Sequence, residues 1–506
     1  MKNRNQCKNG LVYNHFAIIQ IQTFTSQYIR IPESPVICRV REGNIDDQLF
    51  SHKEEIIDRY ELKGFDIKVV IDQPEQAILE GHVHVWAAVF FDMTVELSYR
   101  IIVPPDGQIN GTDFCHIDKA FNTNQLITIA GMVQHVEHWI YNKEKERQEI
   151  DGSLQSVQIR NFPLDKDSRN INNMEEKDLT FEEVMRRYRN FFDRTPAEEF
   201  RYIDHYYVYA DVWETVAHDG YINFNAMKED EIIQHIETCH RAELVGLMTL
   251  YPEEWPYRME DSYDDICGKN VAIDTDDLVL VNQNMSVVFG TYGKRGEESP
   301  TDWIEHLGRR DRYHTSWPEF LVILEILLAK KQTINYVLNK YIHNSRQAAS
   351  ENIREMIEQN AWLSVQLSNI ILQLDSVRYL RYMSHIHMYN ATARNLRIQE
   401  DEKQLDATIK RVDKSLNNAN NVMELKQASD TKFILLFISI ASLFGVLLQG
   451  REVPVFSMIS EEFGTTTAVI LVSITSIGIA YGTVVLVKML VKYLARLRKQ
   501  KHQTHL

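Results

Sequence analysis

The sequence has few cysteines, and none are spaced like a metal or redox motif. Its five cysteines are scattered, without a CxxC pair, so we expect neither a disulfide framework nor a zinc ribbon. Residues 1–15 contain no apolar run, so we expect no secretory signal and a soluble part that stays in the cytoplasm. No GxSxG, Walker or Rossmann pattern occurs, and we predict that the protein is not an enzyme.

Acidic residues are missing from the C-terminal end. No Asp or Glu follows Gly464, whereas six basic residues do, so the chain's net charge of −16 leaves −22 on the rest. An acidic body argues against direct nucleic-acid binding. The length of 506 residues predicts more than one structural unit.

Helix-breaking residues are also missing from a long stretch. No proline lies between Pro318 and Pro454, and no glycine lies between Gly308 and Gly445. Proline and glycine interrupt helices, so their absence predicts long continuous helices over this stretch.

Two apolar runs without charge, 433–450 and 467–487, end the chain. Each is about long enough to cross a hydrocarbon core of roughly 30 Å, although a buried helical hairpin is the alternative. Basic residues flank the pair on the outer sides, and the connecting loop is acidic. The positive-inside rule then predicts a multi-pass inner-membrane protein with both termini in the cytoplasm.

An apolar seam precedes the first run. Its members recur in steps of four and three residues, the pattern of a coiled interface: Leu405, Ile409, Val412, Leu416, Ala419 and Met423. The seam packs against another copy, which we favour, or against the chain's own helices. Continued in register, it selects Asp430, Ile434, Phe437, Phe444 and Leu448 as pore and gate residues. The alternative is that this face points to lipid.

The rest of the chain alternates between strand-like and helical patterns, which predicts an α+β fold with an α/β cytoplasmic domain. The strand-like runs are Phe16–Ile21, Phe65–Ile71, His82–Val103 and Tyr202–Val208, and the helical runs are Thr123–Glu149, Phe181–Phe192 and Glu229–Leu250. The predicted domains are a cytoplasmic domain at 1–317, a helical stalk at 318–432, a first transmembrane helix at 433–450, an external loop at 451–466, a second transmembrane helix at 467–491 and a basic cytoplasmic tail at 492–506.

A basic, glycine-containing segment is the candidate ligand site. Glycines let backbone N–H groups approach an anion, and cationic and aromatic side chains there would hold phosphate and stack on a base. The candidates are Tyr292, Lys294, Arg295, Trp303, Arg309, Arg310 and Arg312. A hairpin turn with surface arginines is the alternative. His82 and His84 share a strand face, but a zinc site needs three or four ligands.

The arrangement resembles the CorA family of divalent-cation channels, from its cytoplasmic α/β domain and stalk to its two spans and basic tail. Where that family has Tyr-Gly-Met-Asn, this chain has Phe444-Gly445-Val446-Leu447. The resemblance implies a homo-pentamer in the bilayer, with a divalent cation and an anionic nucleotide as candidate ligands. The enlarged soluble part and the altered signature resemble ligand-gated effectors of type III CRISPR antiviral defence, switched by a nucleotide such as S-adenosylmethionine–AMP. The alternatives are a housekeeping magnesium or cobalt transporter and a membrane-anchored sensor or scaffold without a pore.

Overall fold

Strands and helices are mixed along the chain in the computed structural model. The structure describes residues 10–40, 57–71, 76–90, 93–104, 114–132, 156–164, 179–196, 201, 203–217, 227–250, 263–275, 277–290, 315, 317–347, 353–374, 380–449 and isolated positions between 461 and 482. The chain forms two compact units. One comprises Met1–Arg346 and Gln359–Lys410, and the other comprises Gln347–Glu358 and Arg411–Leu506.

One large sheet is the centre of the first unit. Its described strands are β1 Leu11–Thr25, β2 Ile37–Arg39, β3 Asp58–Ile71, β4 Ala77–Phe90, β5 Thr94–Val103, β6 Cys115–Ile117, β7 Phe121–Asn122, β8 Ser156–Arg160, β9 His205–Ala217, β10 Leu278–Val281 and β11 Met285–Phe289. Their order is β10-β11-β9-β1-β5-β4-β3-β2, with β7 beside β1, β6 beside β4 and β8 beside β3. Neighbours are antiparallel except for β9 and β11, which are parallel.

Nine helices lie in the described part of the chain. They are α1 Thr123–Ala130, α2 Phe181–Phe192, α3 Glu229–Cys239, α4 Arg241–Thr249, α5 Tyr263–Cys267, α6 Pro318–Gln347, α7 Ile353–Leu374, α8 Met383–Asn395 and α9 Ile398–Gln449. The predicted helical run over Phe181–Phe192 has the bounds of α2. Thr180 caps this helix by accepting a hydrogen bond from the N–H of Glu183.

An apolar core fills the space between one sheet face and helices α1 to α5. Side chains alternate across a strand, so every second residue of β3 faces this core, as Phe65, Ile67 and Val69 do. The Phe65 ring lies 5.9 Å from Phe181 and 6.4 Å from Tyr188 on α2. Burial of large aromatic surfaces here stabilises the sheet against its helical layer.

The first part of helix α6, from Phe320 to Ile334, is buried on all sides. Ten apolar side chains between Phe320 and Ile334 have no solvent exposure. A helix that is apolar all round lies inside a protein rather than on its surface. Through Glu325 and Thr333, α6 also contacts Arg59 and Thr94 of the sheet.

The long helix α9 carries the predicted seam. Leu405, Val412 and Leu416 are buried within a single copy, so the chain's own atoms cover this part of the seam. The alternative of packing within one chain therefore holds for these three residues. Farther along, Val422 and Leu425 are 64% and 72% exposed.

The predicted membrane spans are corrected by the structure. Among the described residues, no helix combines the length and apolar composition needed to cross a membrane. The run 433–450 is helical up to Gln449, where it forms the last turns of α9, a helix that begins in charged sequence. Within 467–491 the structure describes only isolated positions. The prediction of two transmembrane helices is therefore wrong, and so is the predicted multi-pass inner-membrane localisation that rested on them.

Candidate functional site

A group of polar side chains shares the sheet face opposite the apolar core, where four strands lie side by side. We call it the polar face; its members are Asp66, Lys68, Glu80, His82, His116, Gln158 and Arg160. Asp66 is opposite both Arg160 on β8 and His82 on β4, and Glu80 is opposite His116 on β6. Strand alternation produces the arrangement, because the intervening residues point into the core.

The polar face lines a cavity of about 600 Å³, together with Phe114 and Asn161. Asp66 is held from two sides, with Oδ1 2.8 Å from His82 Nδ1 and Oδ2 accepting a 2.5 Å hydrogen bond from Asn161 Nδ2. Small-molecule sites in proteins have volumes of roughly 300–1,000 Å³ and a few convergent polar groups. The cavity meets both conditions.

Two ionic groups of the polar face differ in their partners. Lys68 Nζ lies 2.7 Å from Glu80 Oε2, and this hydrogen bond lowers the pKa of the Glu80 carboxyl. Arg160 instead donates to the neutral Gln158 Oε1 at 3.2 Å. Among the contacts described for Arg160, none is an ion pair with a carboxylate within 4 Å.

The backbone beside the cavity needs residues that tolerate unusual conformations. Gly81 has φ +151°, and a Cβ there would lie 2.3 Å from the carbonyl oxygen of Phe114. Asn161 also has a positive φ, of 55°. Such conformations are sparsely populated for residues with side chains and cluster at functional sites.

The same sheet face continues from the cavity to α6. The His82 and His84 rings are 5.3 Å apart, and His84 is opposite Arg100 on β5. The Arg100 guanidinium lies 4.6 Å from the centre of the Trp86 ring. Its Nη2 is 4.0 Å from Glu325 Oε1 on α6. Neighbouring side chains on one sheet face therefore lead from the cavity to α6.

Four charged side chains are buried where this line ends. Arg59, Glu96, Arg100 and Glu325 are each at most 3% exposed. Arg59 Nη2 lies 2.6 Å from Glu325 Oε2. Burial, followed by the negative charge of Glu325, raises the pKa of the Glu96 carboxyl well above its usual range. Glu325 is the carboxylate of this layer that contacts both arginines.

Helix α6 also contacts the beginning of α9. Lys330 Nζ lies 2.8 Å from Glu402 Oε1, and Lys331 Nζ lies 2.8 Å from Asp401 Oδ2. Lys331 also donates to the carbonyl oxygen of Leu396, between α8 and α9. Charge-assisted bonds to partly buried groups are stronger than exposed ion pairs. One helix therefore connects the sheet with the first turns of α9.

The ligand candidates and the pore candidates predicted from the sequence lie in different parts of the chain. The ligand candidates Tyr292, Lys294, Arg295, Trp303, Arg309, Arg310 and Arg312 lie outside the described residues. The pore candidates Asp430, Ile434, Phe437, Phe444 and Leu448 all lie on α9. Ile434 is 59% exposed, and the Phe437 ring makes an edge contact with Tyr481 at 6.4 Å. Their role in a pore stays a prediction.

The polar face was not predicted as a site. The sequence places His82 and His84 on one strand face, and the structure confirms this. Asp66 and Lys68 alternate in the run predicted as a strand, but nothing local identifies Arg160 as their neighbour.

No family model, no curated protein and no solved structure matches the chain. Within the described residues, no three His, Cys, Asp or Glu side chains are grouped so that they would hold a metal ion.

Proposed function

We propose that this protein is a ligand-responsive regulator, in which a small molecule on the polar face changes the packing of α6 and thereby the start of α9. One observation carries the proposal: neighbouring side chains on one sheet face lead from the cavity through His84 and Arg100 to Glu325. Lys330 and Lys331 then extend the connection to α9. Coupling between two sites needs a structural element with two arrangements, whose equilibrium is shifted by events at either site.

The buried ion pairs of α6 make its packing sensitive to small movements of their partners. A buried ion pair is costly to leave unpaired, so a small movement of one partner has a large energetic effect. A ligand shifts such an equilibrium only by its different affinity for the two arrangements. The polar face meets α6 through His84 and Arg100, so a ligand there acts on the position of Arg100 and thus of Glu325.

Several functions suggested by the sequence stay predictions beside this proposal. They are the ligand class of nucleotide second messengers, the role in type III CRISPR antiviral defence, and the homo-oligomer. The channel, the divalent-cation transporter and the anchored scaffold stay predictions as well. The proposal needs only a small ligand and the described contacts of the first unit.

Hydrogen exchange on the full chain tests the coupling without knowledge of the ligand. Replacing the half-buried His84 by Ala removes the ring between His82 and Arg100. We expect faster amide exchange in α6 and in residues 398–410, in addition to β4. The control is Arg186→Ala on α2, whose side chain is 55% exposed on the other side of the sheet. It should leave exchange in α6 and α9 unchanged.

A second arm uses ligands found in a thermal-shift screen of nucleoside phosphates. A ligand that slows exchange in β3 and β4 should also change exchange at the start of α9. Protection confined to the strands would contradict the proposal, and so would a His84→Ala protein whose α6 and α9 exchange like the parent's.

A further inference from the structure

Unused hydrogen-bonding groups on the polar face indicate the chemistry of its ligand. The Asp66 carboxylate is engaged by His82 and Asn161, and the Glu80 carboxylate by Lys68. The Arg160 guanidinium has five N–H donors, and its one described side-chain contact is with an amide oxygen. Arg160 is exposed and therefore has N–H donors available to a ligand in the cavity.

The pairing of charges indicates the same chemistry. The polar face has two carboxylates, Asp66 and Glu80, and two cations, Lys68 and Arg160. Lys68 pairs with Glu80 at 2.7 Å, whereas the described side-chain hydrogen bond of Arg160 is to the neutral Gln158. Guanidinium matches phosphate and carboxylate in two parallel hydrogen bonds, stronger than neutral ones. An anionic group beside Arg160 would have this geometry.

The opposite end of the cavity has flat rings. The Phe114 ring lies 5.5 Å from the His84 ring, and His116 lies on the same short strand as Cys115, facing the cavity. Arg160 and His116 are on strands separated by three strand spacings, about 14 Å in all. A ligand that uses both ends is therefore an elongated organic molecule and not an inorganic ion.

We infer that the cavity binds an organic anion with a planar ring: Arg160 holds the phosphate or carboxylate, and Phe114 with His116 contacts the ring. The inference rests on the proposed function, because it names the class of ligand to which the proposed regulator responds. It needs only the geometry of the cavity for its test.

Calorimetry on the full chain with three probes tests the site: adenosine 5′-monophosphate, adenosine and inorganic phosphate. We expect the monophosphate to bind more tightly than either part alone. Arg160→Gln should weaken it by about 10- to 150-fold, the loss of a charge-assisted contact, and leave adenosine binding unchanged. Phe114→Leu should weaken both adenosine and its monophosphate.

Two further variants keep the result interpretable. Arg186→Gln, an exposed arginine on α2, is the matched control and should bind all probes like the parent. Arg160→Lys keeps the charge but loses the paired hydrogen bonds, so it should have intermediate affinity.

The inference is overturned if the parent binds none of the probes at millimolar concentration, or if Arg160→Gln binds the monophosphate as the parent does. Its failure is distinguishable from failure of the proposed function. If the monophosphate binds through Arg160 while exchange in α9 stays unchanged, the anion site stands and the coupling fails. If Arg160 has no effect while His84→Ala loosens α6 and α9, the coupling stands and the anion site fails.

Discussion

Replacing Glu325 by Gln is the sharpest test of the buried layer between the sheet and α6. The side chain keeps its size and loses its charge. Arg59, 2.6 Å away, and Arg100, 4.0 Å away, then lose their main anion in a region closed to solvent. Because both guanidinium groups are buried, water replaces the lost carboxylate poorly.

The magnitude follows from burial. Breaking a buried ion pair by removing one partner costs about 3–5 kcal/mol. Glu96 is close enough to respond: without the negative charge of Glu325, one cause of its raised pKa disappears and it ionises more readily. Because an ionised Glu96 partly replaces the lost charge, we expect Glu325→Gln to lower the free energy of unfolding by about 3 kcal/mol, near the lower end of this range. A larger unit shifts less than the about 2–4 °C per kcal/mol of domains of 150–250 residues, so the melting midpoint should fall by less than about 6–12 °C.

Urea unfolding followed by tryptophan fluorescence is the assay, since Trp86 lies beside Arg100. Adding Glu96→Gln to Glu325→Gln should cost more than the two single changes together, because each carboxyl compensates for the other. Arg186→Ala breaks an exposed pair and should cost less than about 1 kcal/mol. A Glu325→Gln protein within 1 kcal/mol of the parent would refute the reasoning.

Other predictions concern titration, assembly and the basic segment. Burial, with the charge of Lys331, lowers the pKa of His205 to about 4. Since the unfolded imidazole gains its proton near pH 6.5, the parent should lose about 3 kcal/mol between pH 6.5 and 4, and His205→Gln should remove this loss in pH-dependent unfolding. Glu96 has a raised pKa, so the parent should lose stability as pH rises above about 4.3, and Glu96→Gln should flatten that slope. Native mass measurement should find a homo-oligomer, and a monomer at high concentration would contradict it. Replacing Lys294 and Arg295 together by Ala should weaken nucleotide binding by several kcal/mol, at about 1.5–3 each, and unchanged calorimetric affinity would remove this segment from the site.

Local patterns predicted the elements better than their ends. The helix over Phe181–Phe192 was predicted with its observed bounds because its cap, acidic first turn and apolar period agree. The single helix predicted over Glu229–Leu250 is two helices that meet at His240, with no glycine or proline at the junction. At this junction His240 Nδ1 lies 2.7 Å from a carboxylate oxygen of Glu243, and Glu243 also accepts a hydrogen bond from the N–H of Leu11. The contact between Leu11 and Glu243 spans more than 200 residues, so no local sequence pattern predicts it.

The candidate site could be predicted only in part for the same reason. Alternation places Asp66 beside Lys68, and Glu80 beside His82, on strand faces. Which strands adjoin them depends on pairing between distant segments, as between Asp66 and Arg160. For the apolar run at 433–450, the local composition was misleading. Its apolar composition predicted a transmembrane helix, although among the described residues no helix is long and apolar enough to cross a membrane.

The position of β1 in the sheet affects how the chain is made. This strand leaves the ribosome well before one of its two long neighbours, β9. Gln22 and Asp204, which are hydrogen-bonded across that junction, are 182 positions apart. At about 5–20 residues per second, translation takes roughly 10–40 s to supply β9. During that time a 15-residue strand rich in isoleucine has an open edge, the form most prone to pair with another nascent chain. Chaperone capacity during synthesis, rather than stability after folding, should therefore limit the yield of this protein.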